Sequence, residues 1–206
     1  MIFKSFLVEK NISLIENCFA TIFYGENIGL KDDFKSLIKN HYKSYEAIAL
    51  QQNDIINSPG IIKEQAFNNS LFAQKKLILI YNATDKLKKN IIEITEKPIS
   101  DVKIFIFSEN LDRKSIIRSH FEVKKNLGCV PCYSDNEKTL SIYSREKLKD
   151  YSGFNQEFLN ILIKNSNTDR MVVNQEIEKL KRLFPNKKIE QNKAIELVNN
   201  AYNLDF

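Results

Sequence analysis

Ala20-Thr21-Ile22-Phe23-Tyr24 runs straight into Gly25-Glu26-Asn27, after which Leu30, Phe34, Leu37 and Ile38 recur at helical spacing. A β-branched and aromatic run that stops at glycine reads as a strand and a turn. Apolar residues three and four apart read as one face of a helix. Strand, tight turn and helix form the opening of a βαβ unit. That opening demands further strands of the same kind, separated by helices.

The sequence supplies them. Tyr45-Glu46-Ala47-Ile48-Ala49-Leu50 alternates weakly and predicts a second strand, followed by a polar loop. Ser58-Pro59 is a helix-start signal, because serine caps the first turn and proline suits the first helical position. That helix is expected from Pro59 to Asn69, with Ile62 and Ala66 on one side. Leu77-Ile78-Leu79-Ile80-Tyr81 is a third strand, and Thr84-Asp85 can cap a helix carrying Leu87, Ile91 and Ile94. Val102 to Phe107 is a fourth strand, and Asp112 can cap a helix carrying Ile117 and Phe121. Leu127 to Tyr133 is a short fifth strand, expected at an edge because Pro131 donates no ladder hydrogen bond. The alternation predicts a mostly parallel sheet with helices on both faces. The residues before Ala20 read only as a short leader.

From Asn136 onward the pattern is helical throughout. Leu140 and Tyr143 mark one helix, and beyond Gly153 Phe158, Leu159, Leu162 and Ile163 mark the next. Val173, Ile177, Leu180 and Phe184 form an amphipathic stripe, with Glu178 and Arg182 spaced for an ion pair. Ala194, Leu197, Val198 and Ala201 form a last helix. The expected division is an α/β domain over residues 1–138 and a small helical domain over 139–206. The chain has 206 residues, 43% of them hydrophobic and 28% charged, so one large or two modest cores can be built. Three cysteines fit a reducing compartment, and no long apolar run or signal-peptide layout appears, which makes the cytoplasm the default and gives no membrane partner.

The turn after the first strand stands where a nucleotide-binding fold holds phosphate. A working phosphate loop needs a long glycine-rich turn, then lysine and a serine or threonine for magnesium. Gly25-Glu26-Asn27-Ile28-Gly29-Leu30-Lys31-Asp32 is too short for this and carries repelling acids. No later strand ends in paired acids for magnesium. ATP hydrolysis, a cofactor and a catalytic residue are therefore not expected. Cys129-Val130-Pro131-Cys132 has a C-x-x-C spacing, but it lies inside a strand rather than at a helix start. Only distant Cys18, His41 and His120 could complete a zinc site. The pair is read as two partly buried small residues on an edge strand, and no metal is expected. The net charge of +5 and the doublets Lys75-Lys76, Lys88-Lys89, Lys124-Lys125 and Lys187-Lys188 read as solvated surface, and leave DNA open as a partner.

Ahead of the third strand, Leu71 and Phe72 stand side by side between a polar run and a basic pair. Sequence neighbours point in different directions on a helix or a strand, so one uniform core does not hold both. Two readings follow: Phe72 covers the strand end, or the pair is an exposed docking knob.

Four stretches, by order and spacing, resemble the delta subunit family of the bacterial DNA polymerase III clamp loader. They are Phe23-Tyr24-Gly25-Glu26-Asn27, Ser70-Leu71-Phe72-Ala73 leading into Lys75-Lys76-Leu77-Ile78, Ser108-Glu109-Asn110-Leu111-Asp112-Arg113-Lys114-Ser115, and Asp169-Arg170 with Asn174-Gln175-Glu176-Ile177-Glu178-Lys179-Leu180. The resemblance implies an α/β, AAA+/P-loop-NTPase-like parallel sheet flanked by helices, with a degenerate phosphate loop at Gly25, Glu26 and Asn27, followed by an all-helical lid. It implies that Leu71 and Phe72 enter a hydrophobic pocket on the beta sliding clamp, with Ser70 just before them and Phe67 opening the element. Phe67 stands where clamp-binding patterns often have Gln, and Gln65 lies nearby. The implied partners are the clamp, the ATPase and delta-prime-like loader subunits, and primed DNA. No active site of its own is implied, only membership of the polymerase holoenzyme. Family members continue into a helical collar domain, whereas this chain stops at Phe206. An ATP-using AAA+ protein, a sister loader subunit and a plain doubly wound binding domain are the competing readings.

Overall fold

A computed structural model describes residues 1–67 and 75–200, the last four of these as backbone. The chain divides into two compact units, Met1–Tyr133 and Ser134–Phe206. The point read from the sequence, 138, lies inside a helix of the second unit, Glu137–Lys147.

The first unit is built on five parallel strands, β1 (Ala20–Tyr24), β2 (Glu46–Gln51), β3 (Lys76–Ala83), β4 (Val102–Ser108) and β5 (Leu127–Pro131). Their order in the sheet is β2-β3-β4-β1-β5. The central strands are buried on both faces, which is why they read as unbroken apolar runs. Ile22, Ile78, Ile80, Ile104 and Ile106 point to one face. There they meet α3 (Gln52–Asn57), α4 (Ile61–Phe67), α5 (Lys88–Glu96) and α6 (Ile116–Val123) through Ile55, Ile62, Ile91 and Ile117. Phe23, Leu77, Leu79, Phe105 and Phe107 point to the other face. They are covered by α1 (Ser5–Lys10), a 3-10 turn at Ile12–Ile15 and α2 (Ile28–His41), through Val8, Ile15, Phe34 and Ile38. The expected architecture is the observed one, and β5 does lie at an edge.

Several local expectations are corrected. The leader before β1 is structured: α1 and the 3-10 turn bury Val8 and Ile15, and Ile2 bridges Cys129 of β5. The polar loop after β2 contains α3, whose capping box is made by Gln51 and Asp54 rather than by serine or threonine. The helix expected over 59–69 is observed as Ile61–Phe67, and positions 68–74 lie outside the described residues. Ser115, not Asp112, caps α6, its hydroxyl accepting from the Arg118 N–H at 3.2 Å. Asp85 reaches across from its own 3-10 turn, Asp85–Leu87, to accept from the Ile117 N–H at 3.0 Å. Cys129 and Cys132 are fully buried rather than partly so.

The second unit comprises α7 (Glu137–Lys147), α8 (Gln156–Asn165), α9 (Arg170–Leu183) and α10 (Gln191–Asn200). Leu140, Phe158, Leu162, Val173, Ile177 and Phe184 make its core. Three of these helices begin with a side chain that accepts an otherwise orphaned N–H of the first turn: Asn136 caps α7, Asn155 caps α8 and Asp169 caps α9. Glu178, spaced for an ion pair with Arg182, pairs with Lys181, three residues on, at 2.8 Å. Among the described residues no helix is long and apolar enough to cross a membrane.

Candidate functional site

In open parallel sheets ligands sit beyond the carboxyl ends of the strands, where the strand order reverses. Here that place is the turn Gly25-Glu26-Asn27, which leaves β1 between the ends of β4 and β5. Its backbone donors face the protein. The Gly25 N–H donates to the Glu109 carbonyl at 3.1 Å, and the Asn27 N–H donates to the Cys132 carbonyl at 3.1 Å. The Asn27 amide donates to the Tyr133 carbonyl at 3.0 Å, and its side-chain oxygen accepts the Leu30 N–H at 2.9 Å, capping α2. Gly25 has φ +133°, a conformation that side chains rarely adopt, and a Cβ there would lie 2.2 Å from the Cys132 carbonyl oxygen. The turn is therefore folded down onto β5. A phosphate loop instead opens around a cavity and aims its N–H groups at an anion.

Lys31 fills the space beneath the turn. Only 8% exposed, it donates to the Gly25 carbonyl at 2.7 Å and to the Ser108 carbonyl at 2.9 Å. The ammonium thus ties the end of β1 to the end of β4. Burial lowers its pKa from the ordinary lysine value, because the charged form loses its hydration. Ser108 is in turn fixed by its hydroxyl, which donates to the Ala83 carbonyl at the end of β3. The cation is held by two carbonyls, under a turn whose Gly25 and Asn27 N–H groups are engaged, and in this conformation it is not free to neutralise a terminal phosphate. The sequence reading named Gly25, Glu26 and Asn27 but missed this role for Lys31. The signal was present, since Lys31 steps by three and four to Phe34 and Ile38 on the buried side of α2.

The second anchor position is only flanked by described residues. Ser70, Leu71 and Phe72 lie outside them. Phe67, the last residue of α4, is 64% exposed. On the far side, Lys76 opens β3 and its ammonium donates to the Gln65 carbonyl at 2.6 Å, capping the carboxyl end of α4. Gln65 and Lys76, which stand on either side of that stretch in sequence, are thus tied to each other.

Neither Cys18 nor Cys129 offers a reactive thiolate. Burial pushes the Cys129 thiol up to about 12 and raises that of Cys18 as well. Among the described residues no cluster of three or more His, Cys, Asp or Glu could hold a metal ion. In the second unit, Arg170 and Asp135 form a bidentate pair at 2.7 and 3.1 Å, with side chains 4% and 6% exposed, and the guanidinium lies 4.4 Å from the Tyr143 ring centroid. The resemblance drew attention to Arg170, but a partner 35 residues away was not legible.

No family model matches the chain, and no curated protein matches it. Solved structures do. The chain is similar to the Bacillus subtilis DNA clamp loader delta protein (YqeN), with a TM-score of 0.63 and 16% identity over 94% of this chain and 61% of that one. It is also similar to a Thermotoga maritima RuvB variant, with a TM-score of 0.59 and 12% identity over 98% of this chain and 68% of that one. The chain thus spans about three fifths of the length of the clamp loader protein. At these identities the likeness establishes the fold alone, a five-stranded parallel sheet flanked by helices.

Proposed function

We propose that this chain is a non-catalytic, clamp-binding subunit of a clamp loader, of the delta type. Its task is to bind the sliding clamp through Leu71 and Phe72 and, by preferring one clamp conformation, to help open the ring for loading onto DNA. Ser70 and Phe67 flank the anchor. The ATP-driven step then belongs to sister subunits, contact with primed DNA is shared with them, and the setting is cytoplasmic.

The observation that carries this reading is Lys31, bound to the Gly25 and Ser108 carbonyls where a phosphate-binding cation would have to be free. It supports a fold of the AAA+ type put to use as a binding module. The likeness to a clamp loader delta protein favours that use over a motor. The exposed Phe67 at the end of α4 supports a docking role for the residues that follow it.

The test is surface capture of the chain on purified sliding clamp, comparing the native sequence with the double variant Leu71→Ala, Phe72→Ala. Two buried apolar anchors at an interface are worth roughly 2–4 kcal/mol or more together, so affinity should fall at least about thirtyfold while the circular dichroism spectrum is unchanged. Undiminished affinity in the double variant would remove the pair from the site.

A further inference from the structure

The two edges of the sheet are treated differently. The edge at β5 is sealed by the first residues of the chain: the Cys129 N–H donates to the Met1 carbonyl and the Phe3 N–H to the Cys129 carbonyl, both at 2.8 Å. The edge at β2 has no such cover among the described residues.

Along β2 the open groups can be assigned. The Glu46 N–H donates to the Lys75 carbonyl at 2.9 Å, so Glu46 turns its backbone polar groups inward to β3. Strand alternation then turns Ile48 and Leu50 inward and Ala47 and Ala49 outward. The ends of this edge are closed: the Tyr45 N–H donates to the Tyr42 carbonyl at 2.9 Å, and the Gln51 N–H to the Asp54 carboxylate at 2.8 Å. Between them the N–H and C=O of both alanines are left facing out. Ordinary edges are blunted by proline, by an inward-pointing charge or by a bulge. β2 carries no proline, and its outward-bonding residues are two exposed alanines whose methyl groups shield nothing.

Lysines stand beside this edge, alongside the exposed Glu46 of β2 itself. Register places Ala47 and Ala49 on the same face as Leu77 and Leu79, the face overlain by α2. Lys35 of α2 has its ammonium 5.3 Å from the centroid of the Tyr81 ring, at one end of this strip. Lys75 lies 5.7 Å from the Tyr45 ring centroid, at the other. Lys39 follows Lys35 by one helical turn. Lys35 is paired with Asp32, whereas neither Lys39 nor Lys75 forms an ion pair among the described residues.

We propose that the β2 edge is a strand-addition site for an extended acidic segment of a partner protein. An added strand satisfies the N–H and C=O of Ala47 and Ala49 together, and its alternate side chains then lie over the alanines within reach of Lys35, Lys39 and Lys75. A polynucleotide matches the charge but has no regular donor row for the two carbonyls. A second copy of this chain matches the backbone but brings like-charged lysines together. The site is built on β2, α2 and Lys75, and its test is read with peptides, without sliding clamp.

The test is selection of a displayed random-peptide library on the full chain, followed by fluorescence anisotropy with the synthesised winners. Ala47→Pro removes an outward N–H and no bond to β3, so the ladder survives. The expected result is enrichment of acidic peptides rich in β-branched residues, at least tenfold weaker on Ala47→Pro, and weakened also by Lys39→Glu with Lys75→Glu. The double charge variant keeps the test decisive even where the proline variant melts early. Absence of acidic enrichment overturns the proposal, as does equal binding to the variants. So does tighter binding of a single-stranded oligonucleotide than of any peptide, or self-association of the chain that Ala47→Pro abolishes.

Discussion

Replacing Lys31 with alanine removes the one donor shared by the Gly25 and Ser108 carbonyls, at 2.7 and 2.9 Å. A hydrogen bond from a charged donor contributes about 1.5–3 kcal/mol, and a buried acceptor left without a partner costs about 1–3 kcal/mol. Against this stands the cost of keeping an ammonium 8% exposed, which disappears with the side chain. The lost packing of the lysine stem under the turn adds to the penalty. The balance is a loss of about 2–4 kcal/mol, because both carbonyls sit at strand ends that the ammonium ties together. With a urea slope of roughly 2 kcal/mol per molar, the unfolding midpoint should fall by roughly 1–2 M. Circular dichroism is the suitable probe, since the chain has no tryptophan. The account also requires that the vacated space does not become a nucleotide site, because the Gly25 and Asn27 N–H groups remain bound to Glu109 and Cys132. A midpoint within about 0.3 M of the native one, or saturable ATP binding by Lys31→Ala, would refute the idea that Lys31 is the internal brace of a closed turn.

Three further outcomes follow from the same geometry. Gly25→Ala should destabilise by more than about 2 kcal/mol and lower expression of folded protein, because its Cβ would lie 2.2 Å from the Cys132 carbonyl oxygen at φ +133°; a melting temperature equal to that of the native chain would contradict it. Arg170→Ala should cost about 3–5 kcal/mol by leaving the buried Asp135 carboxylate without its cationic partner, with the Thr139 hydroxyl still bonded to it, whereas the i,i+3 pair Lys149 and Glu146, exposed on the surface, should be removable without measurable change in melting temperature. The Cys129 thiol, held up to about 12 from 9.0, stays protonated in the folded state after the unfolded chain has lost its proton. Its contribution is therefore complete below about pH 9 and is lost as pH rises towards 12. Urea midpoints of the native chain and Cys129→Ala at pH 8 and pH 10.5 should converge at the higher pH, and parallel lines would show that the thiol titrates normally.

The strand sequence was legible because parallel strands covered on both faces must be apolar throughout, and Leu77 to Tyr81 and Val102 to Phe107 announce themselves that way. The turn after β1 was legible as a turn, from the glycine that ends the apolar run at Gly25. What stayed hidden depends on partners far away in sequence. The periodicity of α2 puts Lys31 on the buried side, but its acceptor at Ser108, 77 residues on, is visible only in the fold. Arg170 meets Asp135 only once the second unit has folded. Short elements escaped for a different reason: α1 and α3 have six residues each, too few to show a period, and the Gln51 and Asp54 cap lacks the serine or threonine that usually signals one. The closed edge at β5 and the open edge at β2 were equally invisible, since which backbone groups lack a partner is a property of strand order. Leu71 and Phe72 stand out because neighbours cannot share one core, and their role rests on that and on the resemblance, with the described structure fixing only Phe67 and Lys76 on either side.

The central claim is that this chain binds a sliding clamp on its own, without nucleotide. A calorimetric titration of the native chain into purified sliding clamp, run with and without magnesium ATP, tests it most directly. Saturable binding with superimposable isotherms is expected, since the Gly25, Asn27 and Leu30 N–H groups and the Lys31 ammonium are all bound within the protein. Absence of binding, or binding that appears only with ATP, would contradict it.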